Sequence, residues 1–77
     1  MLVTIVSPEK ELFKGEVQNI NLPGKQGAFE VLENHAPLVS TLTEGKIVCQ
    51  GIQPLEIDIK GGFVEINNNK VAVCVEP

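Results

Sequence analysis

The chain reads as an all-β domain, a small antiparallel β-sandwich or flattened barrel, on three observations. Seven Gly and five Pro punctuate 77 residues so densely that few stretches between breakers reach the length of an average helix. Leu55-Glu56-Ile57-Asp58-Ile59-Lys60 alternates apolar and charged side chains without a break, the period of a strand with one wet face. Two β-rich runs, Phe63–Ile66 and Val71–Val75, flank Asn67-Asn68-Asn69, and Asn tolerates the left-handed backbone that a tight hairpin needs.

The elements follow in order. Leu2–Val6 is apolar on both parities and rich in β-branched residues, which predicts a strand covered on both sides. Val71–Val75 carries the same signature at the other end of the chain. Ser7-Pro8-Glu9-Lys10 is a turn. Around Val17–Leu22 the alternation slips, because Val17 has odd parity while Ile20 and Leu22 are even; a bulge would account for it. Leu22-Pro23-Gly24-Lys25 places Pro and Gly as a type II turn requires. Glu33–Leu42 is the best helical candidate, yet Pro37 stands in its middle, so Pro37–Leu42 is expected to be extended. The Gly61-Gly62 pair leads into a strand where a neighbouring strand or a partner comes close. Eight or more short strands in one domain, residues 1–77, is the expectation.

Composition narrows the function. Apolar residues make up 43% of the chain, drawn mostly from Val, Ile and Leu, and only Phe13, Phe29 and Phe63 supply aromatic rings. Base-stacking platforms and aromatic cages are therefore disfavoured. The formal charge is −4, with six Lys and no Arg. Scattered lysines among ten acids build no phosphate-binding face, which argues against nucleic acid. Cys49 and Cys74 have no zinc-like spacing and read as two buried, reduced thiols. The first twenty residues lack the basic start and apolar core of a signal peptide, and no run reaches the ~18 apolar residues of a membrane span. A cytosolic compartment is expected.

Groups for catalysis do not converge. His35 is the one histidine, and Asn34, Ala36 and Pro37 beside it offer no nucleophile. Ser7 and Ser40 lack a nucleophile elbow, and Glu9 with Glu11 reads as a solvated turn margin. Gly24-Lys25-Gln26-Gly27 lacks the spacing of a phosphate loop. The expectation is a binding module without catalytic residues, cofactor or metal.

Two segments carry more. The first runs from Leu22-Pro23-Gly24 through Gly27, Phe29 and Val31-Leu32 to His35-Ala36-Pro37-Leu38; the second is Gly61-Gly62-Phe63-Val64-Glu65. With Ser7-Pro8-Glu9, Phe13-Lys14-Gly15-Glu16-Val17, Leu42, Gly45 and Val71–Val73, they stand in one order and spacing along the whole chain. In that order the chain resembles the epsilon subunit of rotary F-type ATP synthases, in its N-terminal β-sandwich domain. Three positions depart from the family's pattern. Glu30 stands where it usually has Gly, and Glu33-Asn34 replaces Pro-Gly before the histidine. Asn34 can hold a left-handed turn position, whereas Glu30 could not do so comfortably.

The resemblance implies a non-catalytic rotor subunit of a proton-translocating synthase. Such a domain joins the gamma subunit to the membrane proteolipid ring and lies peripherally on the cytoplasmic face of the bacterial membrane. It implies that Gln26, Gly27, Ala28, Phe29, Glu33 and His35 meet the polar loops of the ring. For His35 a bond to nearby backbone is the competing role, and for Leu38 and Leu42 it is filling of the core. The family's C-terminal helical hairpin, which brakes hydrolysis and in some members binds ATP, would begin where Val75-Glu76-Pro77 stands. This polypeptide is therefore expected neither to brake nor to sense ATP. The rival readings are a lipoyl or biotinyl carrier domain, with Lys70 beside the hairpin, and a generic protein-binding sandwich.

Overall fold

The alternating apolar residues become nine strands in the computed structural model, which describes residues 1–77. They are β1 (Leu2–Val6), β2 (Glu11–Glu16), β3 (Asn19–Leu22), β4 (Phe29–Leu32), β5 (Leu38–Leu42), β6 (Gly45–Gln50), β7 (Leu55–Ile59), β8 (Gly61–Asn67) and β9 (Lys70–Glu76). Two sheets form, one ordered β2-β1-β9-β8-β5 and the other β4-β3-β6-β7. They face each other as a sandwich rather than closing into a barrel, since β2, β5, β4 and β7 each pair on one side only. All pairings are antiparallel except β1 with β9, which run parallel from Leu2↔Lys70 to Val6↔Cys74.

Local chemistry explains the turns. The Ser7 N–H donates to the Lys10 carbonyl at 2.9 Å, and the Lys10 N–H donates back to the Ser7 hydroxyl at 3.3 Å, closing the β1–β2 hairpin. Asn68 and Asn69, at φ 53° and 60°, form the two-residue connection between β8 and β9. Two successive positive φ values are what a right-twisted hairpin requires. Gly62, at φ 150°, packs so close to β9 that a Cβ would stand 2.1 Å from the Cys74 carbonyl oxygen.

Two local expectations are corrected. The parity slip at Val17 is no bulge within a strand. There the chain leaves the five-stranded sheet: the Val17 N–H donates to the Met1 carbonyl, the next N–H, of Gln18, donates to Gln50 across the sandwich, and β3 starts afresh. A sheet change resets which parity faces inward, so Val17, Ile20 and Leu22 are all buried. The turn foreseen at Leu22–Lys25 lies two residues later, where the Gly27 N–H donates to the Gly24 carbonyl at 3.0 Å. Gly24 itself has no positive φ; it makes a bridge to Leu42, which holds it extended.

Sixteen apolar side chains form the core, and no polar side chain is buried among them. Val3 and Ile5 of β1, Val64 and Ile66 of β8, and Val71, Val73 and Val75 of β9 meet Ile20, Leu22, Val31, Ile47, Cys49 and Ile59 of the other sheet. The two-sided apolar runs are covered on one side only. Leu2, Thr4 and Val6 face outward half-buried, beside exposed Ala72 and half-buried Cys74. Cys74 is thus a partly exposed thiol, whereas Cys49 is fully buried; both are free. Leu42 fills the core as one expectation had it, but Leu38 is 36% exposed. Four strands cannot cover five, and burial falls along β5 from Leu42 through Ser40 to Leu38.

Candidate functional site

Five of the six residues singled out in the sequence flank one short strand, and the sixth, Phe29, opens it. β4 has four residues, and at about 3.3 Å per residue its two ends lie roughly 10 Å apart. Gln26, Gly27 and Ala28 precede it, all exposed, while Glu33 and His35 follow it. The structure therefore does not bring the six together: they form two groups at opposite ends of β4.

The first group rides on the turn after β3. The Lys25 N–H donates to the Thr41 carbonyl at 2.9 Å, tying this loop to β5, and Gly27 takes a φ of 132°. Phe29 opens β4 half-buried, paired with Leu22, its ring against Gly24 so tightly that a Cβ on Gly24 would sit 2.8 Å from it. Phe29 thereby holds the loop from beneath, and Gln26, Gly27 and Ala28 are left as its presented surface. A shallow depression of about 360 Å³ joins Lys25 and Gln26 to Leu38, Val39, Ser40 and Thr41.

The second group is the link from β4 to β5. The His35 N–H donates to the Leu32 carbonyl at 3.2 Å, and Asn34 takes φ 61°. The left-handed turn foreseen at Asn34 is present, and Glu30 lies within β4 with no positive φ. The His35 Nδ1–H donates to the Ala36 carbonyl at 2.7 Å, the local backbone bond that competed with a partner role. One Glu33 oxygen accepts from the Met1 α-ammonium, and the other accepts from the Asn69 amide at 2.9 Å. The ammonium also donates to the Val17 carbonyl at 3.2 Å and lies 3.3 Å from Glu16. The bond to Glu33 raises the Met1 amine above its ordinary pKa, against the opposing effect of burial, and the same bond lowers the Glu33 carboxyl.

Between the groups runs β5, an edge strand with Val39 71% exposed; Leu32 on β4 is 54% exposed. Large apolar side chains left in water along an open edge are the feature of this side that folding alone does not explain. Sequence reasoning found both loops but missed Asn69, whose partner Glu33 lies 36 positions away. It also missed the exposure of Leu38, which depends on the width of the opposing sheet.

Comparison with known proteins agrees with this architecture. A family model described as the ATP synthase, Delta/Epsilon chain, beta-sandwich domain matches residues 1–77. The ATP synthase epsilon chain of Leptospira borgpetersenii serovar Hardjo-bovis is 43% identical over 75 residues, covering 96% of this chain and 59% of the relative. That of Caulobacter vibrioides is 43% identical over 74 residues, covering 95% and 86% respectively. The chain thus spans somewhat more than half of the Leptospira relative's length. Among solved structures, a chain from the Tetrahymena thermophila mitochondrial ATP synthase central stalk and c-ring matches at TM-score 0.87 and 15% identity, covering 99% of this chain and 63% of that one. A chain of the Euglena gracilis mitochondrial ATP synthase matches at TM-score 0.89 and 23% identity, covering 97% and 49%. These two likenesses speak for the fold; the sequence matches speak for the family, and they remove the carrier-domain reading of Lys70. The chain belongs to the ATP synthase Delta/Epsilon chain beta-sandwich domain family.

Proposed function

We propose that this domain is a non-catalytic coupling piece in the central stalk of a proton-translocating rotary ATP synthase. It grips the gamma subunit at one end and the membrane proteolipid ring at the other. It lies peripherally on the cytoplasmic face of the bacterial membrane and takes no cofactor. Family membership and the epsilon-chain relatives support the setting. The observation that carries the coupling role is the separation of two exposed loops by the length of β4.

A piece that transmits torque must be held at two places, and the lever arm between them must not flex. The uncharged loop Gln26-Gly27-Ala28 suits the polar loops of the ring, with Phe29 as its support. Glu33 and His35, at the far end beside exposed Leu32, suit the gamma subunit. This divides between two partners a set that the sequence resemblance gave wholly to the ring, because the two groups stand on separate loops of different chemistry, the first uncharged and the second holding the Glu33 carboxylate with the Met1 ammonium. Hydrogen-bonded sheets with a dry core supply the stiffness. Stable attachment at each end needs interfaces of about 1,000 Å² or more, a large share of so small a surface.

Co-expression of the chain with its own gamma subunit and ring tests the proposal. The ternary complex is expected to purify intact. A chain that elutes alone from both partners would overturn the reading.

A further inference from the structure

The hairpin turn between β8 and β9 holds a residue whose side chain does more than its backbone asks. Two-residue turns of this kind favour Gly at the second position, where φ is positive, and tolerate Asn there. Asn69 occupies that position at φ 60°. Its neighbour Asn68, at φ 53°, is exposed, whereas Asn69 is half-buried and uses both ends of its amide. The Nδ2–H donates to Glu33 Oε2 at 2.9 Å, and Oδ1 accepts from the Asn34 N–H at 2.8 Å.

Both bonds land on the same short link between β4 and β5. Asn34 is the left-handed residue of that link, so a bond to its N–H fixes the backbone where it bends. The Glu33 carboxylate is held from the other side by the Met1 ammonium. Asn69 therefore joins the tip of a hairpin in the five-stranded sheet to the segment by which the chain crosses from the other sheet. The distance in sequence, 35 and 36 positions, means that nothing local would make these contacts.

We infer that Asn69 is a positioning residue for the partner-binding loop Glu33-Asn34-His35, setting the direction in which Glu33 and His35 are presented while touching no partner itself. The inference rests on the proposed gamma contact of that loop, but the ordering of the loop is measurable without any partner.

Asn69→Gly separates the side chain from the backbone, since Gly accepts φ 60° without steric strain. Amide hydrogen exchange on the isolated 77-residue chain is expected to quicken at Asn34 and His35 by about tenfold or more, with amides of Val64, Ile66 and Val73 unchanged. Affinity for the purified gamma subunit is expected to fall about tenfold. Asn69→Asp keeps an acceptor for the Asn34 N–H but sets a carboxylate against Glu33, and it should weaken binding as well. Adding Glu33→Gln to Asn69→Asp reverses the donor and acceptor, so the double variant should recover most of the slow exchange at Asn34 and His35; affinity is not its readout, since Glu33 itself belongs to the proposed contact. A merely structural asparagine would instead change exchange across the strands together with the loop. Exchange at Asn34 that is unchanged in Asn69→Gly overturns the inference. Exchange that quickens equally across all strands overturns it too. Should the wild-type chain bind no gamma subunit, the functional reading falls, and the exchange and rescue results alone decide whether Asn69 orders the loop.

Discussion

Gly61 and Gly62 are adjacent in sequence, and the structure assigns them opposite tolerances. At Gly62 a methyl group meets two costs. The φ of 150° lies where non-glycine residues are strained by about 1–3 kcal/mol. The added Cβ would also stand 2.1 Å from the Cys74 carbonyl oxygen and 3.0 Å from the Val75 Cα, both backbone atoms that cannot rotate away. Relief requires β8 to part from β9 locally, at about 0.5–1.5 kcal/mol for each ladder bond weakened. A total of about 3 kcal/mol or more results, most of the ~3–5 kcal/mol that a core of this size supplies. At Gly61 the nearest atom to a new Cβ is the Leu42 carbonyl oxygen at 3.7 Å, an ordinary contact, and φ is not positive. Thermal unfolding followed by far-ultraviolet circular dichroism should place Gly61→Ala within a few degrees of wild type. Gly62→Ala should melt at least about 12 °C lower, at about 4–8 °C per kcal/mol, or fail to fold. Coincident melts for the two variants would refute the packing argument.

Stability should also depend on pH through the Met1–Glu33 pair. Glu33 has a lowered pKa in the folded chain, so its contribution is complete above the ordinary 4.5 and is lost as pH falls through the lower folded value. The Met1 amine has a raised pKa, so its contribution is complete below 8.0 and is lost as pH rises through the higher folded value. Melting temperatures of Glu33→Gln and wild type should therefore differ most between about pH 4.5 and 8 and converge outside that window; a constant difference at all pH values would contradict the pairing. The thiols provide a third check. Burial pushes Cys49 up to about 11, so a maleimide at neutral pH should label one thiol, Cys74, in the native chain and two in denaturant. Native labelling of both would place Cys49 wrongly.

Much of the fold was legible because its signals are local. The alternation of Leu55–Lys60 became β7, with Leu55, Ile57 and Ile59 turned toward the core, and the Asn-rich turn became a hairpin with Asn68 and Asn69 at positive φ. What the residues could not announce depends on distant neighbours. A parity slip at Val17 is the same in sequence whether the strand bulges or the chain changes sheets. Pro23-Gly24 has the chemistry of a type II turn, but the bridge to Leu42 and the Phe29 ring override it. Of the candidate site, both loops were found from their residue types. Their separation was not, because no strand was read between them, and it is β4 that sets the two loops at opposite ends. The Asn69 contact was equally hidden, since Asn is expected in any tight turn.

The central claim is that the two loops serve different partners from opposite ends of one rigid strand. Site-directed cross-linking in the assembled synthase tests it most directly, in a Cys74→Ala background that removes the one native thiol open to reagent. A cysteine at position 26, from Gln26→Cys, is expected to link to a ring subunit, and one at position 35, from His35→Cys, to the gamma subunit. Both cysteines linking to the same partner, or neither linking to any, would contradict the account.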